Sequence, residues 1–520
     1  MDSLDLRIIG TATRCPTSLA VEDCDGHELT YASLASNSER FALHLISAGV
    51  QSGDRVGIIA RKSASIIPLL LGILRIGAAY VPCDATAPAI RNAYILADCN
   101  VAVVVTGEQE HYNIARELNA HSSSPPILPL KSLSSATDYD DEKIMLQELD
   151  CRRKTISGST LACILYTSGS SGQPKGVQLT HGNLLSFLDW CTETFAPSSD
   201  DRFSSHAPIH FDLSILDIFL PLMHGAAVVL IDPILGKEPR WLSAFISEKR
   251  ITSWYSTPTV LRLITSVGLL AGSDTSMLKR VLFAGEVFPI RAFEELRNQL
   301  NHPRFFNLYG PTETNVCTYF EIGRDQSHPL MTDIPIGKPC SHVATQVLTQ
   351  DGRAAEPGQC GELWIHGPGV SPGYWKLPSE SCRVFTTDET GRQWYRTGDI
   401  VRESPAGLLY FLGRVDRMIK KRGYRVELLE IESVLHRHPQ IGSCAVVVNE
   451  VAGDIKVIGY VCARENQILS PIELKMHCSS RLPLYMIPDE FVFVDQLPVN
   501  ANGKVDYRSV LSSYPSRDQF

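Results

Sequence analysis

Strand-like and helix-like segments alternate through the first third of the chain, and this restricts the fold more than any other feature. LTYASLASNSERFALHLISAG, residues 29–49, carries apolar residues at helical spacing and ends at a glycine. DRVGIIA, AAYVPC, VAVVVTG and ACILYT, residues 54–60, 78–83, 101–107 and 162–167, read as short strands. Strands alternating with helices predict an α/β fold with largely parallel sheets. The most apolar stretch, IIPLLLGILRIGAAYVP (66–82), is interrupted by Arg75. A buried helix running into a strand suits it better than a membrane span.

At 520 residues the chain exceeds one ordinary core, so two or more domains are expected. HSSSPPILPLKSLSSATDYDDEK, residues 121–143, is Ser- and Pro-rich and reads as an exposed connection inside the larger domain. From residue 360 the character changes: CGELWIHG, QWYRTGDIVRE and LLYFLG are strand-like and separated by Gly and Pro turns. GRVDRMIKKRGYRVE (413–427) then opens a charged segment followed by a helix–strand pattern. The expected division is 1–412 and 413–520, the second part being of normal domain size.

Composition narrows the function. With 44% hydrophobic and 20% charged residues the chain reads as soluble and globular. A net charge of -9 argues against nucleic acid as the main partner. The fourteen cysteines contain no C-x-x-C, and the closest two are Cys15 and Cys24. Neither a zinc site nor a disulfide framework is suggested, and reduced, mostly buried thiols are expected. The start, MDSLDLRIIG, lacks the cationic and long apolar regions of a signal peptide, so a cytoplasmic protein is expected.

The stretch ILYTSGSSGQPKGVQLTHGN (164–183) joins a strand-like run to a helix-like one through hydroxyls, glycines and Lys175. Bare N–H groups, hydroxyls and a lysine make a receptor for phosphate oxygens, although Gly, Ser and Pro also favour plain surface loops. A P-loop is excluded, because the Gly-Lys pairs at 236–237, 337–338 and 503–504 are followed by Glu, Pro and Val. NLYGPTET (307–314) offers the Tyr309 ring for stacking and the Glu313 carboxylate as a hard oxygen ligand, or is a tight turn. YRTGD (395–399) ends in a carboxylate that could accept from ribose hydroxyls or serve a turn. In NANGKVD, Lys504 is by itself an ordinary surface charge.

Taken in order, IGAAYVPCD, YTSGSSGQPKG, HFDLSILDIF, NLYGPTET, GELWIHGPGVSPGYW, YRTGD, GRVDRMIKKRGYRVELLEIE and LPVNANGKVD resemble the adenylate-forming superfamily, within it the adenylation domains of nonribosomal peptide synthesis. The likeness runs essentially end to end. It implies a large N-terminal domain of two α/β subdomains plus a small β-barrel, and a small mobile α+β C-terminal domain. By resemblance, Thr167, Ser168, Gly169, Ser170, Ser171, Gly172 and Lys175 hold the ATP triphosphate, where N–H groups and hydroxyls can follow charge onto the leaving pyrophosphate. Asn307 and Tyr309 would meet the adenine, Gly310 would belong to the nucleotide site, and Thr312 would contact the α-phosphate and Glu313 the magnesium. Asp399 would hold the ribose with Arg414 beside it. Lys504 would bridge the substrate carboxylate and the α-phosphate, and Asp416 would be the hinge, a role compatible with an ion pair to a neighbouring arginine.

FDLS (211–214) bears on the acid. In the amino-acid-activating branch an aspartate here binds the substrate α-amino group, and Asp212 stands at that position. Without the motif, an N-cap aspartate would be the better reading. By motif alignment the pocket is lined by Leu213, Leu216, Tyr255, Leu282, Ala284, Leu308, Val316 and Cys317, with Phe211 flanking the carboxylate path or packing in the core. No charge awaits a charged side chain, so proline, valine, leucine or alanine remain. The set looks like that of stand-alone L-proline-activating enzymes, which load a separate phosphopantetheinylated carrier protein. A D-alanine–carrier ligase ranks second, since the leucines overfill the space around a methyl group. An acyl-CoA ligase and a catalytically dead amino-acid sensor are the further alternatives. A dehydrogenase has little support, as no G-x-G-x-x-G follows a strand.

Overall fold

The computed structural model describes residues 3–118, 125–133, 142–169, 172–268, 270–323, 333–451, 454–464, 467, 469–499 and 505–513. The chain divides into two compact units. One comprises 1–85, 96–166 and 176–415, the other 416–520 together with 86–95 and 167–175.

The first unit is built on three sheets. One has six strands in the order Ile127–Pro129, Val103–Thr106, Arg55–Ile59, Ala79–Pro82, Leu161–Thr167, Lys175–Thr180. Its first five strands pair in parallel. Ile127–Pro129 lies within the stretch expected to be a connection; it is instead an edge strand, a place where Pro129 needs no ladder donor. The apolar stretch forms the helix Ile66–Arg75, buried throughout, and then the strand Ala79–Pro82. The interrupting Arg75 is buried but paired: its guanidinium donates to Glu39 at 2.8 Å and to the Ser38 hydroxyl at 2.9 Å. Gly72 lets this helix approach the helix Tyr31–Ser47, because a Cβ there would lie 2.9 Å from the Ser38 carbonyl oxygen.

The second sheet has nine strands. Arg304–Tyr309, Arg280–Ala284, Ser253–Ser256, Arg202–Ser205, Ala227–Leu230 and Leu19–Glu22 run parallel at its centre, with antiparallel strands at both edges. Alternation sorts its side chains into two cores. Trp254, Val281, Phe283 and Phe305 pack on one face, while Tyr255, Leu282, Ala284, Phe306 and Leu308 pack on the other. The segments that read as strand-like from residue 360 belong to a five-stranded antiparallel sheet of Ala344–Leu348, Cys360–His366, Gln393–Glu403, Phe385–Thr387 and Leu409–Arg414.

The second unit carries the hairpin Met418–Lys421/Tyr424–Glu427 and a sheet of Ile441–Val451, Asp454–Ala463 and Glu490–Phe493. The helices Leu428–His436 and Pro471–Ser479 close its core through Leu428, Ile431, Leu435, Leu474 and Cys478. Among the described residues no helix is long and apolar enough to cross a membrane, and the fourteen cysteines are free thiols.

Candidate active site

The central parallel strands of the nine-stranded sheet carry Tyr255, Leu282, Ala284 and Leu308 towards their carboxyl ends, as expected for a ligand site in an α/β sheet. Tyr255 and Leu282 are register partners on neighbouring strands, and so are Ala284 and Leu308. Registered positions of parallel strands face the same way, so these four side chains form one apolar wall. Leu216 and Cys317 are fully buried, Val316 nearly so, and all three belong to the same core. Leu213 packs partly buried against it. The expected pocket residues are thus brought together.

Asp212 precedes the helix Leu213–Met223 at its N-cap position, yet its side chain makes no capping bond and its backbone is helical, φ -63° and ψ -25°. The first-turn donors are met by the main chain instead: Ser214 N–H donates to the Phe211 carbonyl and Ile215 N–H to that of Asp212, each at 3.0 Å. The N-cap reading therefore does not account for this carboxylate. Burial first, and the Asp212 charge second, push the Tyr255 hydroxyl well above its ordinary range. Phe211 is half-buried and meets His210 edge-on, 5.6 Å between ring centres.

Asp399 and Arg414 are register partners across two antiparallel strands, and the guanidinium donates to the carboxylate. The Tyr309 hydroxyl donates to the other carboxylate oxygen. Burial and the Asp399 charge raise the Tyr309 phenol well above its usual range, so it remains a donor. The Thr397 hydroxyl accepts from Asp399 N–H at 3.0 Å. Asn307 lies on the same strand as Tyr309, and its amide donates to the Pro335 carbonyl at 2.8 Å.

Beyond this strand Gly310 starts a tight turn holding Thr312 and Glu313. A Cβ at 310 would sit 1.8 Å from the Asn315 carbonyl oxygen, so only glycine fits. Glu313 is fully buried; its carboxylate accepts from the Tyr374 hydroxyl at 2.6 Å, and its carbonyl from Ser371 N–H at 2.8 Å. Tyr374 lies in the string GVSPGYW, but nothing local in that string shows that its hydroxyl meets Glu313, 61 residues away. A buried hard oxygen donor held in this way suits magnesium.

The hydroxyl-rich loop belongs to the second unit. The Thr167 hydroxyl is buried and has no hydrogen-bond partner among the described residues, an arrangement that fits an acceptor-rich phosphate. The Ser168 hydroxyl donates instead to the Arg425 carbonyl at 2.8 Å. Gly172 N–H donates to the Gly169 carbonyl at 3.0 Å, and Gly172 is left-handed with φ 79°. Lys175 opens the strand that follows. Asp416 is exposed and accepts from Met418 N–H at 3.3 Å. Ser170, Ser171 and Lys504 lie outside the described residues.

Comparison with known proteins agrees with this layout. Residues 10–375 match the model of the AMP-binding enzyme family, and residues 430–504 that of the AMP-binding enzyme C-terminal domain. An L-proline–[L-prolyl-carrier protein] ligase of Pseudomonas fluorescens is 37% identical over 506 residues, covering 97% of this chain and 98% of the relative. Its namesake in Streptomyces coelicolor is 36% identical, covering 94% of this chain and 93% of the relative. The solved Vibrio cholerae adenylation domain AlmE shares the fold, with a TM-score of 0.84 at 24% identity, 99% of this chain and 98% of that one being covered. The architecture is that of an adenylation domain. The chain belongs to the AMP-binding enzyme family.

Proposed function

We propose that the protein activates a small apolar amino acid, L-proline, with ATP to the aminoacyl-adenylate and pyrophosphate, and then loads it onto the phosphopantetheine thiol of a separate carrier protein. The observation that carries this reading is Asp212, a carboxylate without a capping bond at the head of an apolar wall. A helix N-terminus favours negative charge, and a carboxylate held there suits a substrate ammonium. The relatives named for L-proline and its carrier protein support the same choice. Proline suits the wall physically, since its ring is short and apolar and its secondary ammonium still pairs with Asp212.

A carboxylate is a poor electrophile because hydroxide leaves badly. Attack of its oxygen on the α-phosphorus of ATP forms a new P–O bond, and pyrophosphate departs with the electron pair. The resulting mixed anhydride then releases AMP when a thiol attacks the acyl carbon. In this assignment Thr167 and Lys175 hold the departing phosphates, and Lys504 screens the two anions that must meet. Asp399 takes the ribose hydroxyls, and Asn307 and Tyr309 flank the base. Bound magnesium, held by Glu313, supplies charge neutralisation at the phosphates. Asp416 is assigned as the hinge residue.

Amino-acid-dependent ATP–pyrophosphate exchange tests the reading, with all common L-amino acids, D-alanine, and fatty and aryl acids as controls. Strongest exchange with L-proline is expected. Strongest exchange with another amino acid would overturn the pocket assignment, and exchange with a non-amino acid alone would overturn the role of Asp212.

A further inference from the structure

The loop that delivers Asp212 runs from the end of the strand Arg202–Ser205 into the helix Leu213–Met223. A buried polar network pins it at both ends. Lys62 is 9% exposed as a residue, and its ammonium donates to the Ser205 and Ala207 carbonyls, both at 2.6 Å. The Ser205 hydroxyl donates to the Asp217 carboxylate at 2.8 Å, and Asp217 is fully buried one turn beyond Asp212 on the helix. Burial pulls the Lys62 ammonium down and pushes the Asp217 carboxyl up, while the attraction between the two opposes both shifts. The other oxygen of Asp217 has no hydrogen-bond partner among the described residues. Inside the loop, the Ser214 hydroxyl donates to the Phe211 carbonyl at 2.6 Å.

Buried charge is a costly way to hold two elements together, because apolar residues of similar volume often do it as well or better. A buried polar network does fix one geometry, however, since hydrogen bonds tolerate less rotation and slippage than methyl contacts. Here that geometry is the placement of the loop start relative to the first turn of the helix, and Asp212, Leu213 and Leu216 ride on that turn.

We propose that Lys62, Ser205 and Asp217 are positioning residues that clamp the Asp212 loop and thereby set affinity for the amino acid rather than for ATP. The inference rests on Asp212 being the ammonium ligand. The test is ATP–pyrophosphate exchange with L-proline on wild type, Lys62→Met, Lys62→Arg and Ser205→Ala, with KM measured separately for proline and ATP, and with thermal melts to show that each variant is folded. Lys62→Met is expected to raise the KM for proline about tenfold or more while that for ATP changes less than about twofold. Ser205→Ala should shift in the same direction by a smaller factor, and Lys62→Arg, which keeps donors to both carbonyls, should recover most of the loss. An unchanged proline KM in a folded Lys62→Met, or equal rises in both KM values, would overturn the clamp. Where Lys62→Met does not fold, Ser205→Ala decides the matter alone, since it removes a single hydroxyl and an unchanged KM there is equally fatal. Absence of any amino-acid-dependent exchange in the wild type would overturn the functional reading itself, which separates the two failures.

Discussion

Replacing Arg414 by Met should expose how much the Asp399 centre costs when its charge balance is broken. The side chains of Arg414 and Asp399 are only 10% and 5% exposed. A surface pair at 4 Å would be worth about 1 kcal/mol or less in a water-like dielectric. A buried pair that loses one partner costs about 3–5 kcal/mol, because a carboxylate is left desolvated and uncompensated. The Tyr309 hydroxyl still donates to Asp399 in the variant, which points to the lower end, about 3 kcal/mol. That corresponds to about 150-fold in the folding equilibrium of this part of the chain. Adding Asp399→Asn removes the stranded charge, so the double variant should regain most of the loss although neither protein can hold the ribose as proposed. Urea unfolding followed by tryptophan fluorescence suits the measurement, since Trp364 and Trp394 lie on adjacent strands of the same sheet. A loss below about 1 kcal/mol, or a double variant no more stable than Arg414→Met, would refute the reasoning.

Asp212→Ala should abolish amino-acid activation yet cost little stability, below the roughly 1 kcal/mol of a true N-cap, because no capping bond is lost; a full-sized loss in melting experiments would contradict the geometry. Gly310→Ala should destabilise by about 1–3 kcal/mol or more and impair magnesium-dependent exchange, since the added methyl meets the Asn315–Val316 backbone across the Glu313 turn; normal activity would show that the turn relaxes freely. Burial holds the His206 imidazole at about 4, below its ordinary 6.5, while its Nε2–H donates to the Gly236 carbonyl at 3.0 Å. A lowered folded value means that stability is fully present above pH 6.5 and is lost as pH falls towards 4, by up to roughly 3 kcal/mol; His206→Gln should flatten that limb of the pH–stability curve, and an unchanged limb would assign the acid loss elsewhere. Lys504→Ala should cripple adenylate formation while thiolation from preformed adenylate is much less affected, and equal loss in both half-reactions would remove its assigned role.

Much of the layout was legible because strand patterning and the order of motifs are local properties of a sequence. The parallel strands and the buried helix at 66–75 follow directly from apolar periodicity, and the wall formed by Tyr255, Leu282, Ala284 and Leu308 follows from motif alignment once register is known. What escaped depends on pairings between distant residues. Ile127–Pro129 sits among Ser and Pro, which read as loop, and becomes a strand only because Val103–Thr106 offers it an edge. Segments 86–95 and 167–175 group with 416–520, which no local pattern shows. The hydroxyl of Tyr374 on Glu313 and the Lys62–Ser205–Asp217 network are likewise invisible in one dimension, because a polar side chain carries no mark of its partner.

Asp212 shows how the two kinds of information combine. Local rules alone make an aspartate before a helix a cap. In the structure, carbonyls of Phe211 and Asp212 itself take the first-turn donors, so the carboxylate is not required for helix ending. The helix N-terminus still favours its negative charge. The loop behind it is held by Lys62, a buried cation whose donors go to main-chain carbonyls. A carboxylate relieved of capping, placed where negative charge is favoured and near enough to the apolar wall to raise its Tyr255 hydroxyl, is suited to receive a small cation. On the proposed function, the ammonium of an amino acid supplies that cation, and a fatty or aryl acid has no such group to offer.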